Sequence, residues 1–87
     1  MKVVNKPIEM IAWFTNTGVV QPIKFRFKDE KGSYKVIKID NLVEQTKETK
    51  YGIAMILFKC QSFIDGVEKL YELIYEVSSC RWYVYKF

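Results

Sequence analysis

The sequence predicts a small all-β protein: an antiparallel meander of about six strands that closes into a small barrel rather than lying as an open sheet. Three features point there. Several segments alternate apolar and polar residues with a period of two, as in Ile23-Lys24-Phe25-Arg26-Phe27-Lys28. They are rich in aromatic and β-branched residues, and Gly, Asn, Asp or Ser turn residues separate them at short intervals. The chain has 87 residues, which is room for one domain with one core, residues 1–87.

After a short polar lead, Ile8 to Phe14 reads as the first strand, with Ile8, Met10, Ala12 and Phe14 on one side and Ile11 and Trp13 on the other. Pro7 suits its start, where no ladder donor is needed. Thr15-Asn16-Thr17-Gly18 supplies a turn. Val19 to Lys28 returns as the second strand, with Ile23, Phe25 and Phe27 inward against Lys24, Arg26 and Lys28 outward, and Pro22 marks an edge or bulge. Asp29 to Ser33 turns the chain into a third strand, Tyr34 to Val43. A hairpin centred on Gly32 sets Phe25 opposite Ile39, Phe27 opposite Ile37 and Lys24 opposite Asp40.

From Glu44 to Lys50 charges of both signs replace the apolar residues, which predicts a solvated loop. Ile53 to Phe58 is apolar on both faces and reads as a central strand covered on both sides. Asp65-Gly66 is a tight-turn signal. The last stretch, Leu70 to Phe87, divides into Tyr71 to Val77 and Trp82 to Tyr85, joined by Ser78-Ser79-Cys80. That is a hairpin with Tyr71, Leu73, Tyr75 and Val77 on its buried face and Glu72, Ile74 and Glu76 on the other. A helix competes over the same residues, because Val67, Leu70, Tyr71, Ile74 and Val77 also fit spacings of three and four, with Asp65 as cap. The aromatic end at Phe87 needs docking in a sheet, since left free it would expose much apolar surface.

Composition narrows the chemistry. Hydrophobic residues make up 49% and aromatics 16%, enough for a packed interior. No window approaches the roughly 18 apolar residues of a membrane span, and Met1 to Pro7 lacks the apolar core of a secretion signal, so a cytoplasmic protein is expected. Cys60 and Cys80 are then expected as reduced thiols rather than as a disulfide. Cys60 suits a core and Cys80 lies in a turn beside Arg81; a structural rather than a reactive thiol is expected at both. There is no histidine, no close cysteine pair and no glycine-rich phosphate loop, so no catalytic centre, cofactor or metal is expected. Glu72 and Glu76 share a strand face, but alternating Glu is what a wet sheet presents anyway.

A binding role remains. A protein partner or self-association comes first, with Met10, Ile53, Met55 and Leu57 as a possible apolar patch. Nucleic acid comes second. The net charge of +4 is modest, but Lys24, Arg26, Lys28, Lys35 and Lys38 lie on neighbouring strands, and small β-barrels hold single strands on basic faces with stacking rings, here Trp13, Tyr83 or Tyr85.

Taken together, Gly18, Pro22-Ile23-Lys24-Phe25-Arg26-Phe27, Val36-Ile37-Lys38-Ile39, Phe58-Lys59-Cys60, Tyr71-Glu72-Leu73-Ile74-Tyr75-Glu76 and Trp82-Tyr83 resemble small single-domain proteins of Gram-positive anaerobes that have no assigned activity. The resemblance spans most of the chain. It implies an all-β barrel like the SH3 fold and carries over no activity and no site residue.

Overall fold

The computed structural model describes residues 1–87 and contains seven strands and no helix. They are β1 (Val3–Phe14), β2 (Val20–Lys28), β3 (Tyr34–Lys38), β4 (Asn41–Lys50), β5 (Ile53–Ile64), β6 (Val67–Glu76) and β7 (Arg81–Lys86). All pair antiparallel in one sheet of order β3-β2-β1-β7-β6-β5-β4.

Strand β1 carries the architecture, because its first half pairs with β7, from Val3 to Ile8, and its second half with β2, from Glu9 to Phe14. Two irregularities bend this region. Asn5, at φ 44°, is skipped in the ladder to β7, and Ile23 is skipped in the ladder to β1. Bulges of this kind increase local twist and bend, and they help curl the sheet into a half-barrel. The curl brings the end of β3 against β5, where the Ser62 hydroxyl donates to the Lys38 carbonyl at 2.6 Å and Asp40 N–H donates to the Gln61 carbonyl at 3.0 Å. Phe87 and Lys2 exchange backbone hydrogen bonds at 2.9 Å, so the aromatic end of the chain is docked.

The concave face holds the core. Alternation places Phe25, Ile37, Ile56, Phe58, Cys60, Tyr71, Leu73, Tyr75, Trp82 and Val84 there, all buried. Trp82 is the hub, with its ring 4.7 Å from that of Tyr75 and 5.4 Å from that of Phe58. Large side chains buried this way stabilise by roughly 1.5–3 kcal/mol each. Two hairpins close with two-residue turns, Tyr51-Gly52 and Asp65-Gly66, in which both central residues take positive φ. That turn matches strand twist, and glycine at its second position adopts the conformation without strain.

Leu70 to Glu76 is strand, not helix, and Tyr71, Leu73 and Tyr75 are buried as the alternation requires. Val77 lies past the end of β6 and is exposed. Glu72, expected in water, is buried at a bulge between Glu72 and Leu73, where Lys59 and Lys86 are its cross-strand partners.

Other expectations are corrected. Glu44 to Lys50 is not a loop but most of β4, hydrogen-bonded to β5 and exposed on both faces. With no core to face, an edge strand has no reason to alternate. The segment Tyr34 to Val43 is not one strand; it breaks at Ile39-Asp40, where the chain crosses from β3 to β4. The β2–β3 register differs by two residues: Phe25 faces Ile37, Phe27 faces Lys35, and Lys24 faces Lys38 rather than Asp40. The cause is the turn. Asp29 closes it by accepting from Lys31 N–H and Ser33 N–H through Oδ1, while its own N–H donates to the Ser33 carbonyl, and this centres the hairpin on Lys31. Asp40 accepts instead from Phe63 N–H at 2.8 Å. Finally, β5 is interior to the sheet but fully covered on one face only; Ile56 and Phe58 are buried, whereas on the other face Ile53 is exposed and Met55 and Leu57 are half-buried.

Cys60 and Cys80 are both free. Burial pushes the Cys60 thiol up from 9.0 to about 12, and burial also raises Tyr71. A proton bound more tightly in the folded state stabilises it fully below the unfolded pKa, and that contribution is lost as pH rises through the folded one. Stability should therefore fall between pH 9 and 12, by up to about 1.4 kcal/mol per unit from Cys60 alone. Melting temperatures measured from pH 8 to 11 should show this fall, and Cys60→Ala should flatten it; parallel profiles would contradict the assignment.

Candidate nucleic-acid interface

The pairing of β1, β2 and β3 decides which cations share a surface. Glu9 lies opposite Arg26, Ile11 opposite Lys24 and Trp13 opposite Gln21, while Lys24, Arg26 and Lys28 lie opposite Lys38, Val36 and Tyr34. Directly opposed residues point to one side of a sheet. The convex face of this wall thus gathers Lys24, Arg26, Lys28 and Lys38 with Trp13, Ile11, Val36 and Tyr34. Lys35 is not among them. It lies opposite Phe27 and so falls on the other face, a consequence of the register set by the Asp29 turn.

The apolar members of this face are open to solvent, with Trp13 68%, Val36 63%, Ile11 58% and Tyr34 49% exposed. Arg26 is pre-positioned. Its Nε and Nη2 donate to the Glu9 carboxylate at 3.2 and 3.3 Å, and its guanidinium carbon sits 4.3 Å from the centroid of the Tyr34 ring. The hydrogen bond from Arg26 to Glu9, followed by their charge attraction, raises the Arg26 pKa further above its ordinary value. The Lys28 ammonium lies 5.4 Å from the same ring. Lys24 and Lys38 face each other across the ladder, and neither has a carboxylate within ion-pair distance, since the protein's two ion pairs are Arg26–Glu9 and Lys59–Glu44. Like charges directly opposed on a sheet cost stability. A shallow depression of about 390 Å³ lies among Glu9, Ile11, Lys24, Arg26 and Val36.

Of the rings singled out in the sequence, Trp13 lies on this wall, and Tyr83, opposite Pro7, points to the same side of the sheet from outside it. Tyr83 and Tyr85 are half-buried on β7, a neighbouring strand. Tyr34 was the missed ring. Its place next to Lys28 and Arg26 needs the correct register, which the apolar pattern alone left two residues out. The apolar patch of Met10, Ile53, Met55 and Leu57 does not assemble, because Met10 packs against the core from β1 whereas the other three lie on β5.

The cysteines do no joint work here. Cys60 is sealed in the core and Cys80 sits in the exposed turn after β6, at φ 58°, with its sulfur 3.9 Å from the Val77 carbonyl. No cluster of three or more Cys, Asp and Glu side chains is arranged to hold a metal ion. No helix is long and apolar enough to cross a membrane.

Fold and face together define a small all-β protein with one curled antiparallel sheet and a cationic, ring-bearing convex wall. Comparison with protein-family models, with curated proteins and with solved structures finds no match to this chain.

Proposed function

We propose that this protein is a non-catalytic binding module, a small cytoplasmic domain of the SH3-like barrel kind, whose convex β1–β2–β3 wall takes single-stranded nucleic acid. The observation that carries this reading is the facing pair Lys24 and Lys38, unneutralised within the chain and set between the exposed rings of Trp13 and Tyr34. A phosphate backbone lying between the two lysines would relieve their repulsion. Rings on a convex face meet bases that are unstacked, which selects single strands over a duplex. From the position opposite Trp13 to that opposite Tyr34 the strip runs roughly 20 Å along β2, the reach of a short single-strand site.

The test is titration of a fluorescein-labelled oligo-dT and oligo-U with the parent and with the triple variant K24Q/K28Q/K38Q. These side chains are exposed, so the variant should melt with the parent. Its affinity should fall at least tenfold, and its dependence on log salt should be shallower by about 2, from roughly 0.7 per lost phosphate contact. Trp13→Ala should weaken binding by about 1–3 kcal/mol with the salt slope unchanged. No binding of the parent to either oligonucleotide at low salt would remove the proposal.

A further inference from the structure

The half-barrel leaves a slot where its two edges fail to meet. Strand β3 covers β2 only from Lys28 to Lys24, so the far edge of Val20 to Pro22 has no ladder partner. Across the slot runs β4, paired to β5 on one side and to nothing on the other. Between them lies a cleft of about 490 Å³ whose floor is Phe14, Val20, Ala54, Ile56 and Tyr75 and whose β4 rim is Lys47, Glu48 and Thr49, with Glu48 opposite Met55 and so turned to the other face. The Phe14 and Tyr75 rings meet edge-on at 5.9 Å at its base, and Phe14 is still exposed.

We infer that this slot is a strand-addition site for an extended peptide of another protein, one with apolar side chains at alternate positions and a carboxylate side chain beside them. Three observations select that occupant. The free edge of β4 offers unpaired backbone donors and acceptors, which an extended chain satisfies and a compact small molecule does not. The floor beneath that edge is apolar, so alternate side chains of an added strand are buried against Phe14, Val20, Ile56 and Tyr75 while the others face solvent. Lys47, opposite Ile56 and therefore on the concave side, has no carboxylate within ion-pair distance, which gives an acidic residue a partner. A nucleic acid fits poorly, because the floor presents no row of cations. The convex wall lies on the opposite face of the sheet, so the two proposals stand or fall separately.

The probe is a phage-displayed library of random linear heptapeptides panned against the parent protein, followed by anisotropy titration of the enriched peptide carrying fluorescein. Enriched peptides should alternate Val, Ile or Phe with polar residues and include Asp or Glu. Bound peptide should slow amide exchange in Leu42 to Lys50. Ala54→Arg puts a long side chain into an exposed position on the cleft floor and should weaken binding at least tenfold at an unchanged melting temperature. Lys47→Glu should weaken it less and shift the enriched sequences toward Lys and Arg. Failure to enrich any peptide, equal binding by Ala54→Arg, or protection confined to other strands would overturn the inference. So would a concentration-dependent dimer in sedimentation that is abolished by Ala54→Arg, since the slot would then be filled by a second copy.

Discussion

Trp82→Ala should unfold this protein at 37 °C or lower its melting temperature by more than about 12 °C. The indole is 7% exposed, stacks on Phe58 and packs tilted against Tyr75, so it joins β7 to β6 and β5. Removing a buried Trp costs about 3–5 kcal/mol, because the transfer energy is lost and a cavity remains that its neighbours only partly fill. In a domain of this size each kcal/mol moves the melting temperature by roughly 4–8 °C. The site is also poorly placed to collapse, since the ladder from β6 to β7 holds the backbone around it. Trp82→Phe retains a ring against Tyr75 and should recover more than half of the loss. Thermal unfolding followed by circular dichroism reads both, and an alanine variant melting within a few degrees of the parent would mean that Trp82 is not the hub.

Ser62→Ala should cost about 2–4 kcal/mol although it removes a single oxygen. Ser62 is fully buried, and its hydroxyl donates to the Lys38 carbonyl at 2.6 Å. That proton is then committed, so the contact of 2.5 Å with the Tyr71 hydroxyl is donated by Tyr71. Taking the serine away leaves a buried phenol and a backbone carbonyl without partners, at about 1–3 kcal/mol each. The same bond ties the end of β3 to β5, so the curl of the sheet loosens with it. Adding Tyr71→Phe removes the stranded phenol, and the double variant should be no less stable than Ser62→Ala alone. Denaturant unfolding of the four members of this cycle gives the coupling; strictly additive losses would show that the two hydroxyls are independent.

The serine illustrates where sequence pattern stops. Along β6 and β7 the alternation of Tyr71, Leu73, Tyr75, Trp82 and Val84 marks the buried face, because strands packed on one side must repeat every two residues. A polar Ser62 continuing the inward series of β5 looks like a break in that pattern, and only the arrival of the Lys38 carbonyl explains it. The candidate site was legible to the same degree. Lys24, Arg26 and Lys28 share a face by local periodicity, whereas their neighbours across the ladder depend on the turn that Asp29 closes. That turn sent Lys35 to the opposite face and brought Tyr34 beside Lys28.

Alternation and turn chemistry by themselves determined the all-β class, the two faces of β1 and β2, the inward Tyr71, Leu73 and Tyr75 of β6, and the tight turn at Asp65-Gly66. These are properties of a residue and its near neighbours along one chain, where steric preference and burial act over a few residues. The tertiary structure alone decided that β4 is a strand, that β3 lies two residues from the expected register, and that the sheet curls without closing. Edge pairing needs no apolar pattern, and register and closure depend on contacts between residues far apart in sequence, which strand periodicity does not encode.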